Sequence, residues 1–169
     1  KGDSKMQGDW GEMILEKTLE DCGLTKDSQY FLQKNYRDND GNNYRPDAVI
    51  AFPHNEYAVI DAKVSLTAYQ AAIKEEDAAK RERYLREHVA SIKKHVDELA
   101  KKDYERLVPH CIGYVLMFVP YESGYSAALK TDPTILQYAY QKHIIILSPS
   151  NLLMALQLTH AMWQNFRIT

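Results

Sequence analysis

The sequence has 169 residues, 45% of them hydrophobic, and a formal net charge of −2, which allows one sizeable core, one domain over 1–169, and excludes coating of nucleic acid through overall positive charge. Cys22 and Cys111 alone do not make a small disulfide scaffold, so a reducing cytoplasm is the expected compartment. No apolar stretch approaches the roughly 18 to 20 residues of a transmembrane helix, and Lys1-Gly2-Asp3-Ser4-Lys5 is no signal peptide but runs straight into a helix pattern, as a piece of something longer would.

Residues 4–22 read as a helix stopped by Gly23, with Leu24 placed for the contact that follows a glycine cap. Met6, Trp10, Met13 and Ile14 form one apolar stripe; Glu12, Leu15 and Leu19 form a second, so Glu12 flanks a buried face. Gly8 and Gly11 weaken the helix, which suggests a close approach to its backbone, by a ligand or by ordinary packing. A strand at 28–36, an Asp-Gly turn at 37–43, and strands at 45–52 and 57–63 complete a three-stranded meander. A long helical tract at 65–102, broken near 75–80, carries Leu85, His88, Val89, Ile92, His95, Val96 and Leu99 at helical spacing. His88 and His95 read as core or boundary histidines. Residues 74–106 hold ten Lys or Arg against nine Asp or Glu, a solvated mixed-charge face on which Lys93, Lys94, Lys101 and Lys102 form a local basic edge.

The apolar run 112–119 reads as a central strand ended by Pro120, after which Glu122 either faces the site or caps the helix at 123–130. A helix from Pro133 to 142, a fifth strand at 144–147 and a last helix from Ser148-Pro149 to 166 follow, with Trp10 and Trp163 as core residues. No repeat, Gly-rich phosphate loop, C-x-x-C pair or G-x-S-x-G elbow occurs, so nucleotide hydrolysis and serine chemistry have no motif support.

The run Tyr57-Ala58-Val59-Ile60-Asp61-Ala62-Lys63 places two charges at the end of an apolar strand, Val59, Asp61 and Lys63 on one face. A turn centred near His54 sets residues whose numbers sum to about 108 opposite each other, hence Asp47 opposite Asp61 on strands about 4.8 Å apart. Two carboxylates so placed suit a hard cation such as Mg²⁺ or Mn²⁺, with Lys63 aimed at whatever the metal holds. The alternative is a strand-end salt bridge.

Acidic helix, meander, long helix and further strand, with Pro46-Asp47 and Asp61-Ala62-Lys63 in place, is the order of the PD-(D/E)XK nuclease core. More narrowly the chain resembles the RmuC family of bacterial DNA recombination proteins. The matching pieces are Gly8 through Glu12, Arg45-Pro46-Asp47, Ile60 through Lys63, His95 through Leu99 with Lys102 and Tyr104, Phe118 through Glu122, and Ser148-Pro149 with Leu152.

The resemblance implies an α/β fold, a mixed sheet of about five strands flanked by helices with a long helical insertion after the third strand. It also implies a metal-dependent deoxyribonuclease limiting rearrangement at repeats. Asp47, Asp61 and Glu12 would be the metal residues, Glu12 directly or through water. Lys63 would orient or deprotonate water, and Arg45, Lys63 and Lys102 would contact DNA, although Arg45 suits a surface salt bridge equally. Asp61, where glutamate is more frequent, shortens the reach to the metal by one methylene. DNA and a divalent ion are the expected partners, with self-association through flanking coiled coils and no membrane contact by this region, although family members often carry an amino-terminal anchor. Two other readings are a non-catalytic DNA-binding regulatory module and a protein-interaction scaffold built on the long helix.

Overall fold

The computed structural model describes residues 2–62 and 65–168. In chain order the elements are α1 (Gly2–Asp21), β1 (Tyr30–Leu32), β2 (Tyr36–Arg37), β3 (Asn43–Tyr44), β4 (Ala48–Phe52), β5 (Glu56–Ala62), α2 (Thr67–Lys74), α3 (Ala78–Lys102), α4 (Tyr104–Leu107), β6 (Cys111–Phe118), α5 (Glu122–Thr131), α6 (Ile135–Tyr140), β7 (Ile144–Leu147) and α7 (Pro149–Ile168). Five strands form a mixed sheet in the order β1-β4-β5-β6-β7, antiparallel through β1, β4 and β5 and parallel through β5, β6 and β7. The parallel neighbours are joined through helices, as parallel pairs require.

The β4–β5 hairpin fixes the register that matters. His54 and Asn55 take positive φ in its turn, and Ala48 pairs with Ile60, Val49 with Val59 and Phe52 with Glu56. Each pair sums to 108, so one further step sets Asp47 across from Asp61. Alternation then sorts the side chains into two clusters. Val49, Val59, Val115 and Met117 pack with Ile92, Val96 and Leu99 of α3. Ala48, Ile50, Ile60 and Phe118 pack with Leu15 and Leu19 of α1 and Leu152 and Leu156 of α7.

Several expectations are corrected. The strand expected at 28–36 stops at Leu32 because Gln33 adopts φ +47°. Tyr36–Arg37 instead pairs with Asn43–Tyr44 as a separate small hairpin, whose loop is tied by the Asp38 carboxylate accepting from the Asp40 and Asn42 amides. Met6 and Met13 are 70% and 55% exposed, so of the first apolar stripe of α1 only Trp10 and Ile14 pack against the core. The core side of α1 is the stripe of Leu15 and Leu19. β6 is interior, but the middle strand is β5, since the hairpin adds two strands on its far side. α6 starts at Ile135 and not at Pro133, because the Asp132 carboxylate holds the Thr134 amide and hydroxyl in a turn.

The break between α2 and α3 has a local cause: Asp77 is an N-cap that accepts from the Lys80 amide at 3.0 Å. Gly23 ends α1 at φ +93°, and Leu24 is buried behind it. What approaches Gly11 is Pro120, whose Cγ lies 3.4 Å from the position a β-carbon would take. Ordinary packing therefore accounts for that glycine. Trp10 and Trp163 are half-buried, packing on the first and second clusters respectively. Among the described residues no helix is long and apolar enough to cross a membrane.

Candidate functional site

Asp61 is the one charged side chain at the buried end of β5, and it is only 9% exposed. The register brings Asp47 within hydrogen-bonding reach of it. Asp47 is itself fixed: its Oδ2 accepts the Ala62 amide proton at 2.8 Å, so the carboxylate ties the start of β4 to the end of β5. Burial first, then the charge and hydrogen bond of Asp47, push the Asp61 carboxyl up to about 7. Lys102 opposes this, its Nζ lying 3.7 Å from Asp61 Oδ2. At neutral pH Asp61 is therefore close to half protonated, with the Lys102 ammonium at its side.

Lys102 arrives from far along the chain. It is the last residue of α3, and Asp103 at φ +51° turns the backbone so that Tyr104, one turn on, is buried beside the same carboxylates. Burial, then the charges of Asp61 and Asp47, hold the Tyr104 phenol well above its usual range. Its ring meets Tyr44 edge-on at 6.4 Å. Beyond Lys102 and Tyr44 opens a polar cavity of about 350 Å³, whose walls include Arg37, Asp38, Lys101 and Arg106.

Glu12 approaches from α1. Its carboxyl is raised by burial and by Asp47, while a hydrogen bond from Gln33 and the charge of Arg45 pull the other way. The left-handed Gln33 also donates its amide to the Asp47 carbonyl at 3.1 Å, linking the end of β1 to the acidic pair. Sequence reading missed Gln33 and Tyr44. The alternating pattern runs on through Gln33, so nothing in the sequence marks it as the residue where β1 stops.

The structure thus gathers Asp47, Asp61 and Lys102, couples Glu12 to Asp47, and leaves Arg45 exposed but close enough to act on Glu12. Lys63 lies outside the described residues. Among the described residues no three His, Cys, Asp or Glu side chains stand together as a ready-made ligand set for one ion. His88 is buried with Nε2 2.8 Å from the Gly124 carbonyl, and Lys93 of the basic edge is paired with Asp132 at 2.8 Å.

Glu122 takes neither course expected of it. Its carboxylate accepts from the Ser150 hydroxyl at 2.6 Å and amide at 3.1 Å, so it serves the first turn of α7 and not its own helix. Glu122→Ala is expected to cost about 0.5–1 kcal/mol in urea unfolding. An unchanged urea midpoint would mean that the Ser150 contact does not hold the start of α7.

A family model described as the RmuC family matches residues 1–169. The chain is 41% identical to a DNA recombination protein RmuC homolog of Pseudomonas aeruginosa over 96% of its length, covering 36% of that protein. It is 38% identical to the homolog of Haemophilus influenzae over 97% of its length and 37% of that protein's. To DNA recombination protein RmuC of Escherichia coli K12 it is 37% identical, over 97% of its length and 35% of that protein's. The chain therefore spans about a third of the length of these curated relatives. No solved structure matches it. With a family match over the whole chain and relatives of this similarity, the chain belongs to the RmuC family.

Proposed function

We propose that this region is a metal-dependent deoxyribonuclease of PD-(D/E)XK type acting in DNA recombination, where it limits rearrangement at repeats. The observation that carries the reading is the pairing of buried Asp61 with half-buried Asp47 at the adjoining ends of two strands, only partly compensated by Lys102. Desolvating like charges side by side costs stability, and packing gains nothing from it. A divalent ion removes that cost, and Mg²⁺ is commonly held by one or two carboxylates with water completing its shell. Asp47 and Asp61 would hold such an ion, with Glu12 contacting it directly or through water. When bound, the ion acidifies a water and offsets charge building on the phosphate. Asp47, pinned by the Ala62 amide, fixes the direction of the pair. Lys102 and Arg45 supply positive charge for phosphate oxygens, and Lys63 is the residue assigned to orient or deprotonate the attacking water.

Calorimetry with Mn²⁺, paired with cleavage of single-stranded, duplex and branched DNA, tests this. Wild type is expected to bind the ion and cut at least one substrate, and Asp61→Ala to do neither. Failure of wild type to bind Mn²⁺ and to cut any DNA would overturn the nuclease reading. The Lys102–Asp61 ion pair favours a second one, a DNA-binding module without turnover. It predicts salt-dependent DNA binding that survives Asp61→Ala.

A further inference from the structure

A second cavity lies where α1, the start of α2 and the residue before α5 meet. It holds about 260 Å³ and is lined by Met6, Gln7, Trp10, Leu66, Gln70 and Tyr121. Among the described residues no charged side chain lines it. The Trp10 and Tyr121 rings are 4.5 Å apart between centroids at 36°, and Tyr121 is backed by Tyr69 at 6.3 Å. Two amides complete the wall: Gln7 accepts the Leu66 amide proton at 3.1 Å through Oε1 and donates to Gln70 Oε1 at 3.0 Å. Gln7 thereby fixes the Gln70 side chain, whose own NH₂ remains as a donor. Flat aromatic rings with amide donors and no charge suit a neutral planar heterocycle better than a phosphate or an ion.

Its position says which heterocycle. Trp10 stands two residues before Glu12 on α1, and Leu66 follows Asp61 by five, at most about 18 Å of extended chain. Trp10 and Glu12, two apart, leave α1 on different sides, so the spacing shows only that the cavity lies within about 18 Å of the carboxylate pair, a few nucleotides along a bound strand. Resting on the DNA reading above, we propose that the cavity receives one unstacked base of a single-stranded DNA segment, with Trp10 as the stacking platform and Gln70 as a donor to the base edge. A paired base cannot enter without being pulled from its stack, so the pocket selects DNA with unpaired stretches.

The chain has two tryptophans, so a Trp163→Phe background leaves Trp10 as the only indole reporter. Oligothymidylate and a blunt duplex of equal length are titrated with Ca²⁺ and, separately, with EDTA. Oligothymidylate is expected to quench Trp10 emission more strongly than the duplex. In otherwise wild-type protein, Trp10→Leu is expected to weaken oligothymidylate binding about tenfold with duplex binding little changed, and Trp10→Phe to keep most of it. Gln70→Ala, a change that leaves the rings in place, is expected to weaken it two- to threefold. If DNA binds but Trp10 emission does not respond, or Trp10→Leu and Gln70→Ala both bind oligothymidylate as wild type does, the base pocket falls while the nuclease reading stands. If neither DNA binds, the pocket falls together with the DNA contact it rests on.

Discussion

Asp61→Asn is expected to yield a protein more stable than wild type at pH 8 and no more stable at pH 4. The buried Asp61 carboxyl is pushed up to about 7 from an ordinary value of 3.8, so the folded chain binds more protons than the unfolded chain between those limits. Its contribution to stability is therefore fully present below about pH 4 and is lost as pH rises through 7. The full shift corresponds to about 4 kcal/mol at 1.36 kcal/mol per unit. Partial exposure of the side chain, 13%, screens part of this, so about 2 kcal/mol is expected. Asparagine has the shape of the protonated acid and keeps a hydrogen-bonding partner for Asp47 without the charge. For a chain of this size the gain is about 4–8 °C in melting temperature at pH 8 with EDTA present. Thermal melts of both proteins from pH 4 to 8 decide it. A constant gap across that range, or no gap, would show that Asp61 is not held against its charge. The same variant is expected to lose the proposed Mn²⁺ binding and activity in exchange for stability.

Phe118→Ala is expected to cost about 3–5 kcal/mol, a large share of the roughly 5–15 kcal/mol typical of a folded domain. Phe118 is fully buried at the end of β6, paired with Ala62 on one side and Leu147 on the other, and it belongs to the cluster that receives α1 and α7. Truncation leaves a void that strands on both sides and two helices cannot close together. Because the Ala62 amide anchors Asp47, the proposed metal binding is expected to weaken with it. A urea midpoint that moves by less than 1 kcal/mol equivalent would mean that this end of the sheet is packed differently.

Much of this architecture is legible one element at a time. The hairpin around His54 shows its register in the sequence because a short turn leaves strand pairing few choices, and β7 appears at Ile144–Leu147 as its apolar run indicates. The stripe Val89, Ile92, Val96 and Leu99 of α3 faces the core as its spacing requires. The stripe through Met6 and Met13 shows the limit of that reasoning. Periodicity marks a face as apolar without saying whether anything lies against it, and here both side chains are exposed.

By itself, the sequence determined which residues alternate, where the Gly23 cap, the Asp77 break and the His54 turn fall, and that Asp47 and Asp61 meet; these depend on steric and hydrogen-bonding preferences acting over a few residues. Only the tertiary structure decided what surrounds that pair. Lys102 comes from 41 positions beyond Asp61, Tyr104 from beyond a left-handed turn, and Gln33 from a strand that stops earlier than its pattern suggests. Glu122 went to a helix 28 positions away. Charge and desolvation act through space, so the carboxylates' chemistry is set by neighbours that chain order does not name.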